Sequence, residues 1–254
     1  MTVHFIGAGP GAADLLTLRA ARLLRESPVC LYAGTYLDEA VLEHCPPGAE
    51  LVDTQHLDLD AITAHLVRAH EAGHDVARLC SGDPSVYSAV AEQARRLDAA
   101  GVPWDVTPGV PAYAATAALV GRELTVPEVA QSVVLTRAQR DSTKMPASES
   151  LAAFAQTRAT LVLHLAIRHV RRLADELAPA YGADCPVVVG SQVSTPRELV
   201  LRGTLADIAD QVEAAGLRQA AVIIVGWALQ AEGFVESHLY GQRCREQAPG
   251  QAGA

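Results

Sequence analysis

An α/β fold in two domains is predicted by three features of the sequence: its length, its apolar composition, and a junction that recurs along it. The 254 residues suffice for two modest domains, each burying a sizeable core. Half of them are hydrophobic but only 4% are aromatic, and Ala, Val and Leu dominate, which suits helices packed on parallel strands better than a β-sandwich. The junction is a helical pattern that stops at Ala-Gly and gives way to a short apolar strand, at Ala72-Gly73, Ala100-Gly101 and Ala215-Gly216. A glycine just past a helix can take the left-handed conformation that closes the last carbonyls, as a helix-to-strand turn requires.

Taken in order, Val3 to Ile6 is a strand running into Gly7-Ala8-Gly9-Pro10-Gly11, and Leu16, Ala20, Leu23 and Leu24 then mark a helix face. Val29 to Tyr32 is a second strand, ending Tyr-Ala-Gly. Ile62, Leu66 and Ala69 share a helix face before the strand Val76 to Cys80. That strand stops at Gly82-Asp83-Pro84 and is expected to restart as a helix, with Val90, Ala94 and Leu97 inward, followed by a strand over Val102 to Val106. Thr107 to Glu128 opens with prolines and glycines, breaks at Gly121-Arg122, and reads as a domain connection. Beyond it, strands are expected at Ser132 to Thr136, Thr160 to Leu165, Pro186 to Gly190, Leu199 to Arg202 and Ala220 to Val225, with helices over Ile167 to Ala178 and around Leu205, Ile208 and Val212. The expected division is an N-terminal domain over 1–115, a C-terminal domain over 116–242, and a flexible tail over 243–254.

The net charge of −9 argues against nucleic acid or a membrane surface as a partner, since both call for a basic footprint; an anionic small molecule stays open if basic residues cluster locally. Cys30, Cys45, Cys80, Cys185 and Cys244 show no CxxC spacing, so a zinc knuckle or a disulfide framework is not expected. No basic-then-apolar leader precedes the first strand and no apolar run reaches bilayer length, so a cytoplasmic location is expected.

The motif with most chemical content is Arg78 to Ala94. Gly82 can lie against a ligand because it lacks a side chain, Pro84 suits a first helical turn, and such a turn presents N–H groups and the Asp83 carboxylate at the carboxyl end of a strand, where open α/β sheets bind ligands. Gly7-x-Gly9-x-x-Ala12 satisfies the relaxed dinucleotide pattern. Three details oppose that use: the second strand ends without an acidic residue for a ribose, Asp14 sets a negative charge beside any pyrophosphate, and Pro10 removes a donor. His70 and His74 have the spacing of a metal pair, with His65 nearby, but no third ligand stands at a motif spacing and no metal is expected. Arg137, Arg140 and Lys144 form the densest basic cluster in an acidic chain, suited to substrate carboxylates. No Ser-His-Asp arrangement, nucleophile elbow or Walker loop is present, so acyl and phosphoryl transfer lack support.

In this order, FIGAGPGAADLLTLRA (Phe5 to Ala20), LYAG (Leu31 to Gly34), RLCSGDPSVY (Arg78 to Tyr87), the stretch from Thr107 to Arg137 with GRELTVPE inside it, and LRGTLADIA (Leu201 to Ala209) resemble the tetrapyrrole methylase family. The resemblance implies two α/β domains with an interdomain cleft, S-adenosylmethionine as cofactor, an anionic tetrapyrrole as substrate, and a homodimer. By position it implies cofactor contacts at Pro10, Ser81, Gly82, Asp83, Val86, Tyr87, Ala112, Leu165 and Val193. Arg137, Arg140 and Lys144 would then take the substrate carboxylates, with Arg122 and Glu128 shaping the site. Pro111-Ala112-Tyr113 departs from the small hydroxyl residues usual there, which favours backbone over side-chain contacts. The implied reaction is methylation of C11 of precorrin-4 or its cobalt form on the route to cobalamin. Methylation at another corrin-precursor position or of uroporphyrinogen III, and from a different class a dinucleotide-binding module, remain alternatives. Methyl transfer from a sulfonium needs alignment and exclusion of water rather than a protein nucleophile, and no catalytic residue is assigned.

Overall fold

The computed structural model of the chain describes residues 1–34, 37–138 and 145–235. Its main chain groups into two compact units, Met1–Thr116 with Gly190–Val200, and Ala117–Val189 with the residues from Leu201 onward. The first unit holds a five-stranded sheet of β1 (Val3–Gly7), β2 (Val29–Tyr32), β3 (Glu50–Asp53), β4 (Val76–Cys80) and β5 (Trp104–Thr107), in the order β3-β2-β4-β1-β5. Every pairing in it is parallel, and β1 lies between β4 and β5 with Val3 opposite both Val76 and Trp104.

Both faces of this sheet are covered at its three inner strands, β2, β4 and β1, which is why these read as largely apolar runs. Val3, Phe5, Leu31 and Val76 point to one face, against Ile62, Leu66 and Ala69 of α2 (Leu59–Glu71) and Leu97 of α3 (Val90–Ala99). Ile6, Cys30, Ala77 and Leu79 point to the other, against Ala20, Leu23 and Leu24 of α1 (Leu18–Glu26). Helix α1 starts where the Thr17 hydroxyl accepts from the Ala20 N–H, and α2 where Asp58 accepts from Ala61. Gly73 and Gly101, with φ of 79° and 68°, close α2 and α3 as their Ala-Gly stops predict.

The second unit has a mixed sheet of β6 (Val133–Arg137), β7 (Thr160–His164), β8 (Pro186–Ser191), β9 (Leu199–Thr204) and β10 (Ala221–Val225), in the order β6-β7-β10-β8-β9. β6 and β7 are parallel while β10 runs antiparallel to β7. Its core packs Leu161, Leu163, Val187, Val189, Ile223 and Val225 against Leu173 and Leu177 of α6 (Val170–Tyr181) and Ile208 and Val212 of α7 (Ile208–Ala214), with α5 (Leu151–Ala155) alongside.

The α/β class expected from the sequence is the class observed, and most strands begin or end within a residue or two of their expected limits. Three local expectations are corrected, and one strand was not expected at all. The glycine loop after β1 does not open a helix directly: a 3-10 turn spans Ala13–Leu15 and α1 begins at Leu18, because Thr17 supplies the cap. Pro84 is not in the first turn of α3, which begins at Val90 after Tyr87 and Ala89 have taken left-handed backbone conformations. The stretch read as a domain connection contains α4 (Ala112–Val120), which carries the chain from one unit into the next. Strand β3 is an edge strand with mostly exposed residues and no apolar alternation to announce it. Among the described residues no helix is long and apolar enough to cross a membrane.

Candidate functional site

The loops that leave β4, β1 and β5, three neighbouring parallel strands, meet at their carboxyl ends. Gly9 and Gly82 exchange both backbone hydrogen bonds, Gly9 N–H to Gly82 O at 3.2 Å and Gly82 N–H to Gly9 O at 2.8 Å, which adds one antiparallel bridge beyond the end of the parallel sheet. Both glycines have positive φ, 74° and 68°, a conformation that costs an L-residue about 1 to 2 kcal/mol. The third loop joins by contact: a Cβ on Gly7 would lie 2.5 Å from Gly109 Cα, and one on Gly109 would collide with Gly82 O. Gly7, Gly82 and Gly109 therefore touch backbone to backbone, and no side chain fits between them.

Asp83 braces the junction. One carboxylate oxygen accepts from the Gly109 N–H at 2.8 Å, and the other accepts from the Ser85 N–H at 2.8 Å and from the Ser85 hydroxyl. Burial alone would raise the Asp83 pKa, but these hydrogen bonds outweigh it and hold the carboxyl below the usual range, so it is ionised. The sequence presents Asp83 as an acceptor at the carboxyl end of a strand, and in the structure each of its oxygens has a partner within the loop system. Beyond Asp83, Tyr87 and Ala89 stand in left-handed conformation with φ of 54° and 52°, strain of a kind that gathers at functional sites.

A fourth segment lies against these loops, and of it the sequence singled out Val193 alone. Ser194, 182 residues from its partner, accepts the Ala12 N–H at 3.0 Å through its hydroxyl. A Cβ on Gly11 would strike the Thr195 side chain and lie 3.0 Å from Val193 O, so Gly11 makes room for this segment. Gln192 and Ser194 are themselves left-handed, with φ of 46° and 65°. The only signal was the QVST stretch around Val193, which contains no glycine.

Of the expected cofactor contacts, Pro10, Ser81, Gly82, Asp83, Val86, Tyr87, Ala112 and Val193 all fall in the first unit. Pro10 is buried beside Gly9, and Val193 is buried below Gly11. The Ala112 nitrogen would lie 3.7 Å from a Cβ on Gly82, while the Tyr87 side chain is half exposed. A hollow of about 10 Å³ is lined by Ala8 after β1, Ala33 and Leu37 after β2, and Leu79 and Ser81 at the end of β4. Leu165 lies in the second unit, left-handed at φ 51° just past β7, and Arg137 ends β6 opposite His164 in the parallel register. Arg140 and Lys144 lie outside the described residues, as does the tail over 243–254.

The converging segments, 7–16, 81–92, 107–113 and 190–195, contain no Lys or Arg and carry Asp14, Asp83 and Glu92. Backbone groups, small apolar side chains and carboxylates suit a ligand bearing positive charge and supply no cationic side chain to a pyrophosphate. The dinucleotide alternative also loses its helix N-terminus, since α1 begins well past the loop. The nearby Cys80 thiol is pushed up to about 11, mainly by burial, and is no nucleophile at neutral pH. Among the described residues no group of three or more His, Cys, Asp or Glu is placed to hold a metal ion, and His70 Nδ1 donates to Met1 O at 2.6 Å.

A parallel sheet ending in a cation-free glycine cradle, followed by a second mixed α/β unit, defines a known class: residues 2–209 match the family Tetrapyrrole (Corrin/Porphyrin) Methylases, and the chain belongs to it. Among its relatives, the precorrin-4 C(11)-methyltransferase of Rhodococcus erythropolis is 58% identical over 240 residues, covering 94% of this chain and 96% of the relative. The enzyme of that name from Sinorhizobium sp is 54% identical with matching coverage of 94% and 95%. A solved cobalt precorrin-4 methyltransferase of cobalamin biosynthesis superposes with a TM-score of 0.87 at 34% identity, over 91% of this chain and 96% of that one. The uroporphyrin-III C-methyl transferase of Thermus thermophilus, solved with S-adenosylhomocysteine, gives 0.77 at 31% identity, over 91% and 99%.

Proposed function

We propose that the chain is an S-adenosylmethionine-dependent methyltransferase that methylates C11 of precorrin-4 or its cobalt form in cobalamin biosynthesis. The observation that carries this reading is the Gly9–Gly82 bridge with Gly109 packed against it, a backbone cradle without cationic side chains, in a chain more than half identical to precorrin-4 C(11)-methyltransferases over 94% of its length. When bound, S-adenosylmethionine supplies a methyl group already activated by its sulfonium.

What remains for the protein is to hold donor and carbon nucleophile in line and to exclude water. Pro10, Ser81, Gly82, Val86, Tyr87, Ala112 and Val193 are assigned to the cofactor, and Leu165 is assigned to it as well. Asp83 serves by fixing the cradle and by adding a negative charge near a cationic ligand. Arg137, Arg140 and Lys144 are assigned to the carboxylates of the tetrapyrrole, for which guanidinium and ammonium groups are natural partners. We further assign the protein a homodimeric state and a cytoplasmic location.

The test is reconstitution with S-adenosylmethionine carrying a labelled methyl carbon and with enzymatically prepared precorrin-4. The product should gain one methyl group by mass spectrometry, and carbon NMR should place the label at C11. A label at another ring position, or methylation of uroporphyrinogen III alone, would replace the substrate assignment while leaving the cofactor assignment in force.

A further inference from the structure

Arg78 lies in the middle of β4, the strand that feeds the Gly82 turn, and only 8% of it is exposed. No carboxylate pairs with it in any ion pair among the described residues. Its guanidinium instead donates through Nε to Gln93 Oε1 at 3.0 Å, and through one terminal nitrogen to Thr54 Oγ1 at 3.4 Å and Leu79 O at 3.3 Å. Gln93, 2% exposed, passes the connection on: its Nε2 donates to Ala89 O at 3.1 Å. The amide has one possible orientation, because Arg78 can only donate and a carbonyl can only accept. Thr54 in turn donates its hydroxyl to Tyr32 O at 2.9 Å, at the end of β2.

A buried cation without an anion is costly. The position of Arg78 gives its retention a rationale. Ala89 is the left-handed residue that closes the strained segment beginning at Tyr87, and α3 has no side-chain cap there. We infer that Arg78 is a positioning residue for the methyl-transfer site: by fixing the Gln93 amide, it clamps the Ala89 carbonyl and holds the 81–89 loop in the shape that receives the methyl donor. Through Thr54 the same guanidinium ties that loop to the end of β2, beside the Ala33 that lines the hollow. The inference rests on the cofactor reading given above.

The test separates positioning from stability with two variants. Arg78→Met keeps an apolar stem and removes the charge; Gln93→Glu keeps an acceptor for Arg78 but removes the donor to Ala89 O. Both are expected to fold with a lowered Tm, because each leaves a buried acceptor without its donor, to bind S-adenosylhomocysteine about tenfold more weakly by calorimetry, and to exchange the amides of residues 85–93 faster. In turnover, KM for S-adenosylmethionine should rise about tenfold while KM for the tetrapyrrole stays within twofold. Native affinity in either folded variant overturns the inference, and if Arg78→Met does not fold, Gln93→Glu decides alone. Native protein that fails to bind S-adenosylhomocysteine overturns the cofactor reading and the inference with it, a result distinct from native binding with unaltered variants.

Discussion

The two sheets treat their ends differently. At the carboxyl edge of the first, the main chain does the work: Gly9 and Gly82 bond to each other, Gly7 and Gly109 touch, and Asp83 holds the third loop by its N–H. In the second, the residues of interest are side chains: Arg137 and His164 opposite each other at the ends of β6 and β7, and Leu165 just beyond. Glycines differ in the same way. Gly203 in β9 is hemmed in by the side chains of Asp207 and Gln211, which can swing aside, whereas Gly109 is hemmed in by backbone, which cannot. A site built from main chain tolerates almost no substitution in its geometry; one built from side chains can change its selectivity by changing residues. The first suits a ligand that must always be held alike, the second a ligand that must be told from its congeners.

This contrast can be broken at graded points. The largest effect is expected for Gly109→Ala, whose new methyl has only Gly82 O and Gly7 to move: about 3 kcal/mol of destabilisation by urea unfolding, with binding of S-adenosylhomocysteine lost in whatever folds. Asp83→Ala strips an acceptor from the Gly109 and Ser85 amides and should cost about 2 kcal/mol in the same assay. Gly82→Ala meets only ordinary contacts, Pro111 Cα at 3.5 Å being the nearest, so its cost should be the left-handed penalty of about 1 kcal/mol. If Gly82→Ala proves worse than Gly109→Ala, main-chain packing is not what rules this edge.

In the second unit, Arg137→Ala should raise KM for the tetrapyrrole several-fold and leave the Kd for S-adenosylhomocysteine and the Tm near native. Equal loss of both affinities would erase the division of labour between the sheets. The smallest effect concerns His164. Burial holds its imidazole below the ordinary 6.5, so the unfolded chain takes up the proton first as pH falls. Its contribution is therefore intact above about pH 6.5 and is lost as pH drops below it. His164→Asn should flatten that part of the stability profile in urea titrations at pH 7 and pH 5.

Much of this architecture could be read in advance where local chemistry decides it. The Ala-Gly stops located three helix ends because only a residue free to adopt positive φ closes a helix that way, and Gly73, Gly101 and Gly216 all do so. Edge strand β3 was missed because an edge needs no apolar alternation, and α4 because a helix apolar on every side has no 3.6-residue rhythm to detect. At the site, the glycine loops were visible but their mutual contact was not, since it depends on β4, β1 and β5 being neighbours. The partners of Asp83 within the loops, Ser85 and Gly109, could not be read in advance, and Arg78 was read only as the start of its motif because its partners lie on α3 and just past β3.

The segment 190–200 has one more implication. Since Ser194 and Thr195 complete the surface around Gly11 and Ala12, the first unit is not a portable cassette encoded by the front half of its gene. A fragment ending near Thr116 would leave an amide donor and a glycine-sized notch bare, so recombination between relatives that swaps the front halves must also exchange this short downstream stretch or tolerate a mismatched seam.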